Sequence, residues 1–167
     1  MSRWQRLWRH LFVTHGSVRR CFPQASLDRI EREIAACEER HAGEIRFAVE
    51  AALHPAQLWH GLSARQRAIE VFSLLRVWDT EHNNGVLIYL LLADRSVEIV
   101  ADRGVAGGRV AEGEWEAACA LMRKYFAEGE FEDGVVAGIE AVADVLARYP
   151  PGAPRGANEL PNTPVIL

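Results

Sequence analysis

Residues 86–93 are the feature that most constrains the fold, because all of them are apolar or aromatic and turn-forming residues lie on both sides. A run of this kind is typical of a strand that is buried on both faces. A polar turn at 94–96 follows, and in the next run, 97–101, apolar residues alternate with others. The two runs therefore predict an antiparallel hairpin.

A strand and a helix are predicted before this hairpin. In residues 44–50 apolar and polar side chains alternate, which indicates a strand with one apolar face. Ser63 and Gln66 have the spacing of a capping box, so a helix is expected from there to about residue 76. Strand, helix and strand in this order predict a parallel pair joined by a right-handed crossover, to which the hairpin adds an antiparallel edge.

Helical periodicity flanks this unit. One helix is expected to start at Ser26 as its N-cap, with its glutamates, Glu38 among them, on a solvated face, and two more follow a glycine-rich linker at 104–108. Residues 51–62 are expected to form a loop in which His54 and His60 are ordinary loop histidines. The predicted fold class is α/β: a small mixed sheet with a βαβ crossover and a hairpin, flanked by about four helices.

Composition places the chain among ordinary soluble proteins. The 167 residues suit one domain, and a net charge of −4 argues against a dedicated nucleic-acid binder. The three cysteines are expected to be free thiols, two of them buried on helix faces. Because no apolar stretch is long enough to span a bilayer, a cytoplasmic location, peripheral to the inner membrane, is expected.

Three segments are predicted: a basic arm at 1–21, the α/β domain at 22–149 and a proline-rich extended tail at 150–167. The arm reads as one amphipathic helix that suits an anionic membrane surface. Docking of its tryptophan face on the domain or on a second subunit is an equal alternative. The residues proposed to contact a membrane are Trp4, Trp8, Arg3, Arg6 and Arg9.

Polar side chains collect before the first hairpin strand and after the second, and a hairpin brings these two ends together. Carboxylate and amide oxygens at one end of a sheet are the ligands that Ca²⁺ and Mg²⁺ prefer. The alternative is that these residues only shape the turn into the strand, since Asn-Asn-Gly is itself a turn signal. The candidate metal ligands are Glu44, Asp79, Asn84 and Asp102, and the candidate phosphate contacts are Arg103 and Thr80.

The same residues carry a resemblance to the TPM domain family, known from thylakoid acid phosphatases, photosystem II repair factors and a receptor modulator. The matching stretches are 44–49, 77–78 and 83–89, with Arg95, Ile99 and Gly104. The resemblance implies an α/β sandwich over roughly residues 22–148, divalent-cation binding in some members, weak phosphatase activity in a few, and accessory roles near membranes.

The chain also departs from the family pattern. The family usually has an Asp just before its first helix, where this chain has 22–25 without an acidic residue, and Gly-x-Gly-Leu-Glu after the hairpin, where this chain has 102–106. One acidic group is lost at each place and Asp102 is gained.

Three functions remain open at this point. The first is a binding module that acts with an unidentified protein partner at the membrane surface, with Ca²⁺ or Mg²⁺ in its cleft. The second is a metal-assisted phosphomonoesterase in which Arg103 clamps the phosphoryl oxygens. The third is a homo-oligomer that assembles through the arm and the tail. The binding module is preferred because hydrolysis needs a nucleophile or a two-metal array, and the spacing indicates neither.

Overall fold

A four-stranded mixed sheet forms the centre of the computed structural model, which describes residues 3–106, 109–149 and 157–167. The strand order is β3-β2-β1-β4. β1 and β2 run parallel and β2 and β3 antiparallel, which confirms the predicted parallel pair and hairpin. The strands are β1 Glu44–Glu50, β2 Gly85–Leu91, β3 Ser96–Ala101 and β4 Val165–Ile166.

Eight helices occur in the described ranges, three more than the arm helix and the four flanking helices that the sequence predicts. The extra ones come from division of the arm and from two short helices, α4 and α6, in segments predicted as a loop and a linker. Gly107 and Gly108 of that predicted linker lie outside the described residues. The helices are α1 Arg3–Phe12, α2 His15–Cys21, α3 Gln24–Glu38, α4 Pro55–Trp59, α5 Ala64–Leu74, α6 Arg103–Ala106, α7 Glu112–Glu128 and α8 Phe131–Arg148.

The sheet separates two hydrophobic cores. One face of the sheet packs with α3, α7 and α8, and side chains such as Phe47, Ile88 and Ile139 fill the space between. The other face carries Tyr89 and packs with α4, α5 and Leu160 of the tail. Because both faces are covered, all seven residues of β1 are buried, and the prediction of one apolar face for this strand was incomplete.

The arm is two helices rather than one. Thr14 has an extended backbone and is the N-cap of α2, and its carbonyl accepts a hydrogen bond from the Ser17 amide at 2.8 Å. Because an extended residue cannot continue α1, the chain turns there. The arm therefore consists of two separate helices, and the axis of α1 differs in direction from that of α2.

The predicted start of α3 was wrong. Pro23 precedes the helix in an extended conformation, so α3 begins at Gln24 and Ser26 lies inside the first turn. The Ser26 hydroxyl donates a hydrogen bond to Glu132 of α8. At the other end of α3, Glu38 was predicted to be solvated, but it is buried and accepts a hydrogen bond from the Ile45 amide at 2.8 Å.

The capping box of α5 is confirmed, because the Gln66 amide donates to Ser63 Oγ at 3.1 Å and the Ser63 amide donates to Gln66 Oε1 at 2.9 Å.

The loop prediction at 51–62 missed α4, where His54 is the N-cap and its side chain accepts a hydrogen bond from the Ala56 amide. The tail adds β4 to the sheet through Val165 and Ile166, which the sequence did not indicate. Residues 150–156 lie outside the described residues.

Candidate functional site

The two polar clusters of the hairpin meet at the amino end of β1 and β2, as predicted. The Asp102 amide donates to the Gly85 carbonyl at 2.9 Å, and the Gly104 amide donates to the Asn83 carbonyl at 2.9 Å. A Cβ at Gly104 would overlap the carbonyl oxygens of His82 and Asn83, so only glycine allows this approach.

Thr80 and Arg103, the predicted phosphate contacts, both hold the loop before β2. Thr80 Oγ1 accepts a hydrogen bond from the Asn84 amide at 3.0 Å. Arg103 Nε donates to Asn83 Oδ1 at 3.2 Å, and Asn83 has a positive φ of 52°. These contacts fix the left-handed turn that leads into β2. Neither side chain lines the neighbouring cleft.

That cleft has a volume of about 260 Å³ and lies between the end of α3, the starts of β1 and β2, and the tail. Asn84 is 3% exposed and donates a hydrogen bond to the Ala42 carbonyl. Its Oδ1 atom is buried and has no hydrogen-bond partner among the described residues. A buried acceptor without a partner is unusual because the lost solvation is not replaced. The polar side chains in the lining are Glu38, Glu39, His41, Glu44, His82, Asn84, Asn158, Glu159 and Asn162.

Glu44 joins the cleft to the tail. Its Oε2 atom accepts hydrogen bonds from the amides of Glu159 at 3.3 Å and Leu160 at 3.2 Å. The buried Glu44 carboxylate therefore already accepts hydrogen bonds from two main-chain amides of the tail.

The other two predicted metal ligands lie outside the lining of the cleft. Asp79 is exposed, and its carboxylate is 4.0 Å from Arg76. Asp102 Oδ1 accepts a hydrogen bond from the Arg103 amide at 2.7 Å, while its Oδ2 atom is buried without a partner among the described residues. The structure thus brings Glu44 and Asn84 to one cleft and places Asp79 and Asp102 around it.

The donors at this cleft fit a complete metal centre poorly. Carboxylate and amide oxygens are the right chemistry for Ca²⁺ or Mg²⁺. Within 3–106, 109–149 and 157–167, however, no three His, Cys, Asp or Glu side chains are grouped so that they could share a metal ion. A cation here would therefore depend on Asn84 Oδ1, main-chain carbonyls and water.

Sequence reasoning missed Glu38 and Glu159 at this cleft. Glu38 falls on a helix whose other glutamates, Glu31 and Glu33, are partly exposed, so periodicity alone did not separate it from them. Glu159 lies 115 positions from Glu44 in the sequence, and no local pattern links the two. The proline-rich composition of the tail was the only available signal that it packs as an extended segment.

The cysteines offer no nucleophile. Burial raises the pKa of Cys37 to about 11 and that of Cys119 to about 12. Both thiols are therefore protonated at neutral pH, and a protonated thiol is a poor nucleophile and metal ligand. The predictions that the three cysteines are free and that two are buried are confirmed.

A second functional feature is at the opposite end of the sheet, where α1 is attached to the domain. Arg6 donates to both carboxylate oxygens of Asp94, with Nε at 3.0 Å and Nη2 at 2.7 Å from Oδ2, and to the Leu62 carbonyl at 2.9 Å. His10 Nδ1 accepts a hydrogen bond from the Leu53 amide at 2.9 Å. The other ring nitrogen, Nε2, therefore carries the proton and donates it to Asp94 Oδ1 at 3.0 Å.

These bonds determine the charge of Asp94. Burial alone raises the pKa of a carboxyl group, but the hydrogen bonds from His10 and Arg6 outweigh burial and lower the pKa of Asp94 to about 2. Asp94 is therefore ionised at neutral pH, and α1 is held through its polar side.

The apolar side of α1 faces away from the domain except at Leu7, which is partly buried against the second core. Trp8 is 58% exposed and Phe12 74% exposed, and their rings stack with centroids 6.1 Å apart. Trp4 and Leu11 are exposed beside them, and Trp59 of α4 extends the same apolar surface. We call these five residues the aromatic face. Arg6, predicted to contact a membrane, binds Asp94 instead, and the Arg3 side chain lies outside the described residues.

Comparison with known proteins identifies the family. Residues 20–145 match the TPM domain, and this range is most of the chain. The chain belongs to the TPM domain family. The arm helix α1 and the tail lie outside the matched range of this TPM domain.

Solved structures have the same fold. One of them is the NMR structure of the BA42 protein from the psychrophilic bacterium Bizionia argentinensis, with a TM-score of 0.75 and 29% sequence identity. The match covers 87% of this chain and 95% of that one. No curated protein sequence matches this TPM domain. None of the helices in the described parts of the chain has the length and apolarity that a membrane span requires.

Proposed function

We propose that this TPM domain is an accessory binding module that acts with a partner protein on the cytoplasmic side of an anionic membrane, and that α1 is its membrane contact. The observation that carries the proposal is the orientation of α1. A helix that only packed on the domain would bury its apolar side, whereas α1 is attached by Arg6 and His10 and leaves the aromatic face exposed.

The positive charge of the arm supports an anionic lipid surface as the binding target of the aromatic face. Residues 3–20 contain five arginines, and the first acidic residue of the chain is Asp28. A helix with tryptophan on its apolar side and arginine beside it lies in the headgroup region of anionic bilayers. Arg19 and Arg20 of α2 are exposed and supply this attraction, because Arg6 is bound to Asp94.

Vesicle flotation tests the proposal with a matched pair of variants. Trp8→Ser with Phe12→Ser removes the stacked pair from the aromatic face. Trp78→Ser is the control, since Trp78 is 49% exposed but follows α5, away from the arm. We expect the wild type and the Trp78 variant to float with anionic vesicles and less with neutral ones, and the double variant to stay at the bottom. Equal flotation of all three proteins contradicts the proposal, and so does a wild type that does not float.

A divalent cation at the cleft is a second candidate, and the unpaired Asn84 Oδ1 is the observation that favours it. A ligand that binds only the native state raises the melting temperature. We expect millimolar Ca²⁺ or Mg²⁺ to raise the melting temperature of the wild type and of Asp79→Ala, but not that of Asn84→Ala. No rise in the wild type contradicts an occupied site. A phosphomonoesterase gains no support, because Thr80 and Arg103 hold the loop and do not line the cleft.

A further inference from the structure

The tail 157–167 is bound to the domain mainly through its main chain. Glu44 accepts the amides of Glu159 and Leu160. Arg46 Nη1 donates to the carbonyls of Pro161 and Thr163. At the end of the tail, Leu167 donates its amide to the Val49 carbonyl at 2.9 Å.

Few side chains of the tail take part in this binding. Leu160 is buried among the apolar residues of the second core. Thr163 Oγ1 donates to Glu31 at 2.7 Å, and Glu159 accepts the Glu81 amide at 2.9 Å. The strand pairing is short, with only the pairs Ala48–Val165 and Val49–Ile166. The edge of β1 therefore recognises an extended backbone, the buried side chain of Leu160 and the partly buried side chains of Val165 and Leu167.

Arg46 shows which main-chain atoms of an occupant this edge binds. Its side chain comes from the middle of β1 and is 7% exposed, and burial lowers its pKa. Its Nε atom has no hydrogen-bond partner in the described part of the chain. If the tail left, the guanidinium would become exposed and water would replace its two carbonyl acceptors, so no buried charge would be left without a partner. Another extended peptide supplies the same carbonyls.

We propose that the edge of β1, formed by Glu44, Arg46 and Val49, is a docking groove for an extended peptide of a partner protein, and that the tail 157–167 is an exchangeable occupant. Addition of a strand to a sheet edge is an established mode of peptide recognition, in which main-chain hydrogen bonds give affinity and a pocket gives specificity. The peptide that fits has a leucine at the Leu160 position, followed by an extended segment that ends in aliphatic residues.

The groove is distinct from the aromatic face and does not require a lipid or a cation. The tail competes with a peptide in trans at a high effective concentration, so that weakening the tail must strengthen peptide binding. The test therefore uses the full chain with changes in the tail and a fluorescent peptide with the sequence of residues 157–167.

Leu160→Asp places a charge in an apolar pocket and weakens the tail. Asn158→Asp introduces the same charge at an exposed position of the tail and is the matched control. By fluorescence anisotropy without lipid or divalent ions, we expect the Leu160 variant to bind the peptide about tenfold more tightly than the wild type. The Asn158 variant is expected to match the wild type. Adding Arg46→Met to the Leu160 variant is expected to abolish binding, and a peptide with Asp at the Leu160 position is expected not to bind.

Hydrogen exchange on the wild type tests the same proposal without any variant. The amides of Leu160 and Leu167 are expected to exchange faster than those of β2, because a two-residue strand opens locally. Equal protection of the tail and β2 amides, or equal peptide affinity of the Leu160 variant and the wild type, overturns the proposal. A dimer in sedimentation at the same concentrations assigns the groove to a second copy and overturns the assignment to a partner peptide.

Discussion

Arg6 and Asp94 form a two-pronged ion pair across 88 positions of sequence, with Arg6 Nε and Nη2 both donating to the carboxylate. His10 donates to the same carboxylate one helical turn later. The pair joins the first helix of the chain to the turn between β2 and β3. It fixes which side of α1 faces the domain and, with that, which side remains exposed.

Asp94→Ala is expected to lower the free energy of unfolding by about 2 kcal/mol, because it leaves Arg6 and His10 without an acceptor. Urea titration followed by circular dichroism measures this change. Asp79→Ala is the control, since the Asp79 carboxylate is more than half exposed and its distance to the Arg76 guanidinium is long for an ion pair, 4.0 Å. The control is expected to change stability by less than about 0.5 kcal/mol. Equal effects of the two substitutions would show that the ion pair does not hold the arm.

The stability of the protein is expected to depend on Asp94 at acid pH. Its folded-state pKa is about 2, below the ordinary 3.8, so its contribution is present above pH 4 and is lost as the pH falls toward 2. The contribution corresponds to about 2 kcal/mol. We expect the difference in unfolding free energy between the wild type and Asp94→Asn to shrink between pH 5 and pH 2. A constant difference over this range contradicts the assignment.

Gly85→Ala is expected to destabilise the protein by more than about 2 kcal/mol, because a Cβ there would overlap the Val77 carbonyl and approach Val77 Cγ1 within 2.8 Å. Gly113 is the matched control, since nothing lies within 4 Å of a Cβ at that position in α7. Gly113→Ala is expected to be neutral or to stabilise by up to about 1 kcal/mol through helix propensity. Thermal melts of both variants check the prediction. Similar melting temperatures would mean that the loop before β2 approaches the strand less closely.

Tyr89→Phe is expected to cost about 1 to 2 kcal/mol, because the buried Tyr89 hydroxyl donates to Glu50 Oε2 at 2.6 Å. Arg67 binds the same carboxylate at 2.9 and 3.1 Å, so Glu50 keeps a partner and the cost stays moderate. Urea titration measures it. Phe72→Tyr on α5 serves as the reverse control, since Phe72 is half-buried and an added hydroxyl there is expected to have little effect. An unchanged free energy of unfolding in Tyr89→Phe would show that the Tyr89 hydroxyl does not stabilise the fold.

Local patterns predicted the central elements because their signals are contained in short segments. The run 86–93 is apolar on both faces, and the turn at 94–96 places Arg95 at a positive φ of 51°, so the hairpin followed directly. The capping box at Ser63 depends on two residues three positions apart. The meeting of Asp102 with the loop before β2 followed from the hairpin alone.

The features that the sequence did not predict depend on contacts between residues that are far apart in the chain. Serine is a residue type that favours the N-cap position, but the Ser26 hydroxyl donates to Glu132 of α8. The helix begins earlier, directly after Pro23. The alternating pattern of β1 suggested a solvated face because it does not reveal that α5 and the tail cover Arg46 and Glu50. The arm was correctly seen as amphipathic, yet only the partner of Arg6 reveals that its polar side faces inward.

Quenching of tryptophan fluorescence by brominated lipid tests the membrane contact of α1 most directly. Trp4→Phe, Trp8→Phe and Trp59→Phe together keep aromatic rings on the aromatic face but remove its tryptophans, and Trp78→Phe with Trp115→Phe removes tryptophans elsewhere. With brominated anionic vesicles, we expect strong quenching in the wild type and in the second variant, and little in the first. Quenching that persists without Trp4, Trp8 and Trp59, or that is absent from the wild type, would contradict a membrane contact through the aromatic face.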